Sequence, residues 1–159
     1  MLEIVSQIEI PAPPSQIWSL VTDFESYPTW QKAIAFQGKA GEGEAIVYLT
    51  SGQLRFAKSK MLGMPGTITN IVPGQRLVWE IGLPIIYAVN FAIMVEPSGG
   101  GTRVTFSTSA KGLLPAIAPQ RVVRIHKPIM EAYTIALKAR AARVSTKLQP
   151  NRKARRRAR

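Results

Sequence analysis

Apolar residues in this chain change their period for the rest of its length at Gly112, and that change leaves few architectures open. Up to Ala110, apart from a short stretch after the first strand, they recur every second residue in short runs, as in strands with one buried face. Beyond Gly112 they recur every three or four residues, with Val122, Ile125, Ile129, Tyr133, Ala136 and Leu137 making a stripe down one long helix. Half-buried strands followed by a single amphipathic helix are an α+β arrangement, and that helix has only the apolar face of the sheet to bury against. The reading is a long C-terminal helix packed on the one apolar face of a curved antiparallel sheet.

The first strand puts Ile4, Ser6, Ile8 and Ile10 on one face and Glu3, Val5, Gln7 and Glu9 on the other. Pro11, Pro13 and Pro14 end it. Ser15 is placed to cap a short helix carrying Ile17, Leu20, Val21 and Phe24, and Asp23 to cap a second short turn running to Trp30, so two small helices follow the first strand. From Ala33 to Ala110 turn signals recur at Gly41 to Gly43, Ser51-Gly52, Gly63 to Gly66, Pro73-Gly74, Leu83-Pro84 and Ser98 to Gly101, which predicts an antiparallel meander. Alternation assigns Leu77, Trp79, Ile81 and Leu83 to the buried side, then Tyr87, Val89, Phe91, Ile93 and Val95, then Thr102, Val104, Phe106 and Thr108. In Gln53 to Leu62, Leu54 and Phe56 share a face with Lys58 and Lys60, so a register change or bulge is expected there. Leu113 to Pro119 reads as a lead-in to the long helix, which Pro128 is expected to kink or divide.

A net charge of +12 suggests nucleic acid until it is located. Residues 1 to 110 carry seven basic and eight acidic side chains, a net of −1, whereas residues 111 to 159 carry fourteen and one, a net of +13. The chain is therefore read as a domain over residues 1–148 and a basic, disordered tail over 149–159 holding Arg152, Lys153, Arg155, Arg156, Arg157 and Arg159. Such a tail serves as a solvated end, as a contact for an anionic membrane surface, or as a contact for nucleic acid. It has no aromatic residue to stack on a base. With no cysteine there is no disulfide framework, thiolate metal site or Cys nucleophile, and a reducing cytoplasm is the expected location. The opening MLEIVSQIEIPAPP lacks the basic lead of a secretory signal. The longest apolar stretch, Ile81 to Val95, is too short to span a bilayer and is broken by Pro84 and Asn90.

Four segments in register then resemble a known superfamily: IEIPAPPSQIWSLVTDFESYPTW, TITNIVPGQRLVWE, MVEPSGGGTRVTFSTSAKG, and the long helix ending at ALKARA. Together they are similar to the START-like (SRPBCC) superfamily of polyketide cyclase/dehydrase-like and lipid-transport domains, over roughly residues 2 to 145. The resemblance implies the helix-grip fold, with a cavity between sheet and helix that opens near the loops and the first two helices. It implies no catalytic motif, because members share the architecture and differ in their pocket residues.

The residues expected to line that cavity are Trp30, Tyr48, Trp79, Tyr87, Phe91, Phe106, Ile125, Ile129 and Tyr133. Trp30 has two accounts: a structural plug, which is favoured, and an indole stacking on a flat ligand at the mouth. Trp79 reads first as core. The single histidine, His126, excludes a histidine metal cluster and, between basic Arg124 and Lys127, reads as a surface or boundary residue. The spacing of the acids suggests no metal site, and no cofactor is implied. Asp23 and Glu25 fall on different sides of a helix, Ser107 and Ser109 have no activating partners, and Gly99 to Gly101 precede a strand rather than a helix. Arg76 and Arg103 are out of phase with the buried faces and read as solvated. No catalytic residue is assigned. The sequence reading is a binding, and carrier, domain for a hydrophobic small molecule such as a lipid, an isoprenoid or quinone, or a polyketide-like compound. A cyclase/dehydratase-like enzyme is the alternative, and an interaction protein acting through its basic tail on nucleic acid or an anionic membrane is the second.

Overall fold

A computed structural model describes residues 1–51 and 61–148. Gly52, most of the segment expected to hold a bulge, and the basic tail lie outside the described residues. The elements are β1 (Leu2–Ile10), α1 (Pro14–Thr22), a 3-10 turn (Phe24–Ser26), α2 (Tyr27–Trp30), β2 (Ile34–Gln37) and β3 (Ala45–Ser51). They continue as β4 (Met61–Val72), β5 (Arg76–Leu83), β6 (Tyr87–Ser98), β7 (Gly101–Lys111), α3 (Leu113–Ile117) and α4 (Pro119–Leu148).

One seven-stranded sheet runs in the order β1-β7-β6-β5-β4-β3-β2. Every pair is antiparallel, from Leu2↔Ala110 at one edge to Phe36↔Tyr48 at the other. The alternation read from β1 holds: Ile4 and Ile10 are buried, while Glu3, Val5, Gln7 and Glu9 are exposed. In β6 and β7 the inward set Val89, Phe91, Ile93, Val104, Phe106 and Thr108 is almost fully buried. On the outer face Arg103 donates to Glu9 at 2.7 Å and Arg76 to Asn70 at 3.0 Å, both exposed.

Several expectations change. Gly63 to Gly66 is not a turn; both glycines lie inside β4. A Cβ on Gly66 would fall 2.5 Å from the Glu80 carbonyl oxygen and 2.7 Å from Ile81 Cγ2, so glycine here permits the close approach of β5. Among the described residues a register irregularity that the sequence reading does not anticipate lies between Ile68 and Asn70, where β4 pairs β5, while the bulge expected in Gln53 to Leu62 falls outside them. Leu83 is 65 % exposed, because its strand ends there and the chain turns through Pro84 to Tyr87. Ser15 does not cap α1: the helix starts at Pro14, whose fixed φ suits its first position, after Pro13. Asp23 stands at the cap position of the 3-10 turn, but its carboxylate makes no capping bond, and its carbonyl accepts from the Ser26 amide and hydroxyl instead.

The long helix is continuous over 30 residues, about 45 Å at 1.5 Å per residue, with Pro128 inside it. Pro128 and Arg124 are both exposed, so the carbonyl that loses a helical donor faces water, and no break is forced. The buried stripe is Val122, His126, Ile129, Tyr133, Leu137 and Ala141. Ile125 is 48 % exposed and His126 is 2 % exposed, the reverse of the sequence expectation. The helix lies along β1, where Ser6 and Thr134 hydroxyls meet at 3.4 Å, and against α1, where Gln16 Nε2 donates to the Ala141 carbonyl. Among the described residues no helix is long and apolar enough to cross a membrane.

Candidate functional site

Between the sheet and α4 lies a continuous aromatic interior. Its end nearest α1 and α2 is built on Tyr27, which the short helix carries inward, and on Tyr133 from the middle of α4. The Tyr27 hydroxyl donates to the Val21 carbonyl at 2.5 Å and lies 2.8 Å from the Tyr133 hydroxyl. With the Tyr27 proton committed to the carbonyl, Tyr133 is the donor to Tyr27. Trp30 packs its ring 5.2 Å from Tyr27 and 5.7 Å from Tyr133, and its indole N–H donates to the Ser26 hydroxyl at 3.3 Å. Nearby, the buried Gln31 side chain accepts from the Ala33 and Ile34 amides and donates to the Ile34 carbonyl. Every one of these polar groups has a partner.

The other end is organised around Phe91, on β6 beside the central strand β5. Its ring stacks on Trp79 at 5.1 Å and meets Tyr48 at 5.0 Å and His126 at 5.4 Å. Here three fully enclosed polar atoms have no hydrogen-bond partner: the Tyr48 hydroxyl, Trp79 Nε1 and His126 Nδ1. Leaving such a group unpaired typically costs about 1–3 kcal/mol, so their gathering around one ring is a costly arrangement. A fourth, Arg140 Nε, belongs to a half-exposed side chain.

His126 Nε2 is hydrogen-bonded to the Tyr87 hydroxyl. Burial lowers the His126 pKa to about 4, so the ring is neutral near pH 7. Burial also raises the Tyr87 hydroxyl to about 12, and pushes Tyr48 up further, so both phenols stay protonated. A phenol donates to a neutral imidazole nitrogen more readily than it accepts from one. The Tyr87 proton on Nε2 therefore assigns the ring proton to Nδ1. Trp79 Nε1 and His126 Nδ1 are then both obligate donors, and the Tyr48 hydroxyl is a third group able to donate.

Eight of the nine residues singled out in the sequence share this interior. Trp30 and Tyr87 are half-buried at its margins, and Tyr48, Trp79, Phe91, Phe106, Ile129 and Tyr133 are buried within it. Ile125 does not join them, since its side chain is turned to the exposed side of α4. Sequence reasoning missed Tyr27 and Phe36, which pack on one another, and His126. Two surface depressions, of about 740 and 450 Å³, are lined by other residues, including Arg76, Met94 and Arg103 in the first and Thr67, Thr69 and Glu80 in the second. Among the described residues no three His, Cys, Asp or Glu side chains gather as metal ligands would.

The polyketide cyclase/dehydrase and lipid transport family model matches residues 1–145. The chain belongs to this family. No curated protein matches it. Solved structures show the same fold at low identity. A START superfamily protein from Mycobacterium smegmatis is 16% identical, with a TM-score of 0.71 over 91% of this chain and 99% of that one. The di-domain ARO/CYC StfQ from the steffimycin biosynthetic pathway is 10% identical, with a TM-score of 0.72 over 91% of this chain and 52% of that one. TTHA0849 from Thermus thermophilus is 17% identical, with a TM-score of 0.67 over 90% of this chain and 99% of that one. The seven-stranded curled sheet and long C-terminal helix are the helix-grip fold of that superfamily, a fold for binding hydrophobic ligands.

Proposed function

We propose that this domain binds, and carries, a hydrophobic small molecule bearing hydrogen-bond acceptors, a ring compound with carbonyl oxygens such as a quinone or a polyketide-like molecule. The observation behind this reading is the set of three unpartnered polar atoms on Tyr48, Trp79 and His126 around the Phe91 ring. Two are N–H donors by the proton assignment above, so a ligand seated among them must supply acceptors. Stacking on the indole and phenyl rings suits a flat molecule, and apolar burial supplies the affinity at roughly 25 cal/mol per Å². The seat requires the rings to part, since Tyr48 and Trp79 are completely buried in this structure. The same donors would stabilise an enolate on a bound polyketide-like substrate, which is the cyclase/dehydratase reading.

Native mass spectrometry of the gently purified protein, with solvent extraction of what co-purifies, tests the reading. A stoichiometric carbonyl-bearing adduct is the expected result. A protein that carries nothing, and gains no thermal stability from quinones, aromatic polyketides or lipids, would overturn it. Turnover of the bound compound distinguishes the enzyme from the carrier.

A further inference from the structure

One end of the molecule exposes large apolar side chains that the fold does not use. The β5–β6 turn presents Leu83, Ile85 and Ile86 at 65, 86 and 56 % exposure, and α3 presents Leu113 and Ile117 at 61 and 71 %. The two segments are tied together by backbone: the Leu113 and Leu114 amides donate to the Ile85 and Ile86 carbonyls at 3.2 and 3.1 Å. Gly112, at φ +112°, makes the join, and a Cβ there would fall 2.8 Å from the Ile86 carbonyl oxygen. Leu113 and Ile117 stand four residues apart, on one face of α3. The knob is thus held in place by the fold rather than left as a loose loop.

Around it the charge is of one sign. Lys111 ends β7, and Arg121, Arg124 and Lys127 line the exposed side of the first turns of α4, with the exposed Ile125 among them. Between Glu80 and Glu131 the only acid is Glu96. Glu96 lies nine residues along β6 from Tyr87, about 30 Å away at 3.3 Å per residue, opposite Arg103 at the other end of the sheet. The acids that approach this end are exposed Glu131, one turn beyond Lys127 on α4, half-buried Glu80, three residues before Leu83, and Glu3, opposite Ser109.

We infer that this end docks peripherally on an anionic lipid surface, with the Leu83–Ile86 turn and α3 entering the interface and the basic side chains meeting headgroup phosphates. An exposed apolar cluster with a rim of cations and few anions matches that surface in both components. The inference stands apart from the identity of any interior ligand. It also gives the Tyr87–His126 pair a setting, because Tyr87 directly follows the exposed turn and His126 follows Ile125: the bonded pair closes the grip at the end that meets the lipid.

Co-sedimentation of the full chain with phosphatidylcholine vesicles, with and without about one third phosphatidylglycerol, tests it. Wild type is expected to bind the anionic vesicles at least about tenfold more tightly than the neutral ones. The double variant Ile85→Asp/Ile117→Asp should lose about tenfold on anionic vesicles, whereas Ile135→Asp, at an exposed site on α4 away from the knob, should lose nothing. Because the chain has no cysteine, Ile85→Cys and Ile135→Cys can each carry one environment-sensitive fluorophore, and only the label at 85 should shift to the blue on anionic vesicles. Since every substituted side chain is exposed, melting temperatures are expected to stay near wild type. Unchanged binding by the double variant would show that the basic tail does the work and would overturn the proposal. So would equal behaviour of the two labels, or a dimer in vesicle-free solution that the double variant dissociates.

Discussion

Beside α1 and α2, the Tyr27 hydroxyl sits between the Val21 carbonyl and the Tyr133 hydroxyl, so a short line of donors ends on a backbone acceptor. Around Phe91, at the other end of the same aromatic interior, the Tyr48 hydroxyl, Trp79 Nε1 and His126 Nδ1 end on nothing. Both regions hold fully buried tyrosines, Tyr27 and Tyr133 in one and Tyr48 in the other. Their difference lies only in the accounting of protons, and it separates polar groups that serve the fold from polar groups left over by it. Tyr27 and Tyr133 are paired within the grip; Tyr48, Trp79 and His126 each keep one polar atom unpaired at a cost to stability.

Removing a ring that joins both regions should cost most. Phe106 lies 5.5 Å from Tyr133 on one side and 5.8 Å from Trp79 on the other, and is fully buried. Phe106→Ala is expected to lose about 3–5 kcal/mol of unfolding free energy in urea. A loss below about 1 kcal/mol would mean that the two regions are not one packed body.

A pH titration of stability, compared between wild type and His126→Phe, probes the Phe91 region. His126 sits at about 4 in the folded chain against an ordinary 6.5, so between those values the unfolded chain binds a proton that the folded chain does not. Its contribution is fully present above about pH 6.5 and is lost as pH falls towards 4, up to about 3 kcal/mol. His126→Phe should flatten that window, and an unchanged slope would refute the assignment.

The sharpest comparison is between two single-oxygen deletions. Tyr27→Phe strips the Val21 carbonyl and the Tyr133 hydroxyl of their partner and is expected to cost about 1–3 kcal/mol in the same urea measurement. Tyr48→Phe removes an oxygen that bonds to nothing, so stability should stay within about 0.5 kcal/mol or rise. Affinity for a carbonyl-bearing ligand should nevertheless fall about tenfold, as read by calorimetry. If Tyr48→Phe destabilises as much as Tyr27→Phe, the two regions are not different in kind.

Legibility in the sequence followed the same physics. Where period 2 alone sets the face, as from Tyr87 to Val95 and Thr102 to Thr108, the inward residues were readable one by one. Leu83 continued the alternation on paper and left the core in space, because its strand ends and the chain turns. Gly63 and Gly66 misled because glycine serves a turn and a close strand approach equally well. On α4 the spacing from Val122 to Ile129 admits either Ile125 or His126 inside, and hydropathy favours the wrong one. The unpartnered atoms were not legible at all. Trp79 was readable as buried, but whether its N–H finds an acceptor depends on strands and a helix that meet only in three dimensions.

The pairing of the first strand with the seventh bears on how the chain comes to its fold as it is made. Leu2 waits for Ala110, 108 residues later, before its ladder can close. At about 5–20 residues per second, that leaves β1 without its only strand partner for roughly 5 to 22 s of synthesis. Through that interval Ile4, Ile8 and Ile10 have no sheet to join, and a chaperone that shields one short apolar strand would meet this chain at Leu2–Ile10.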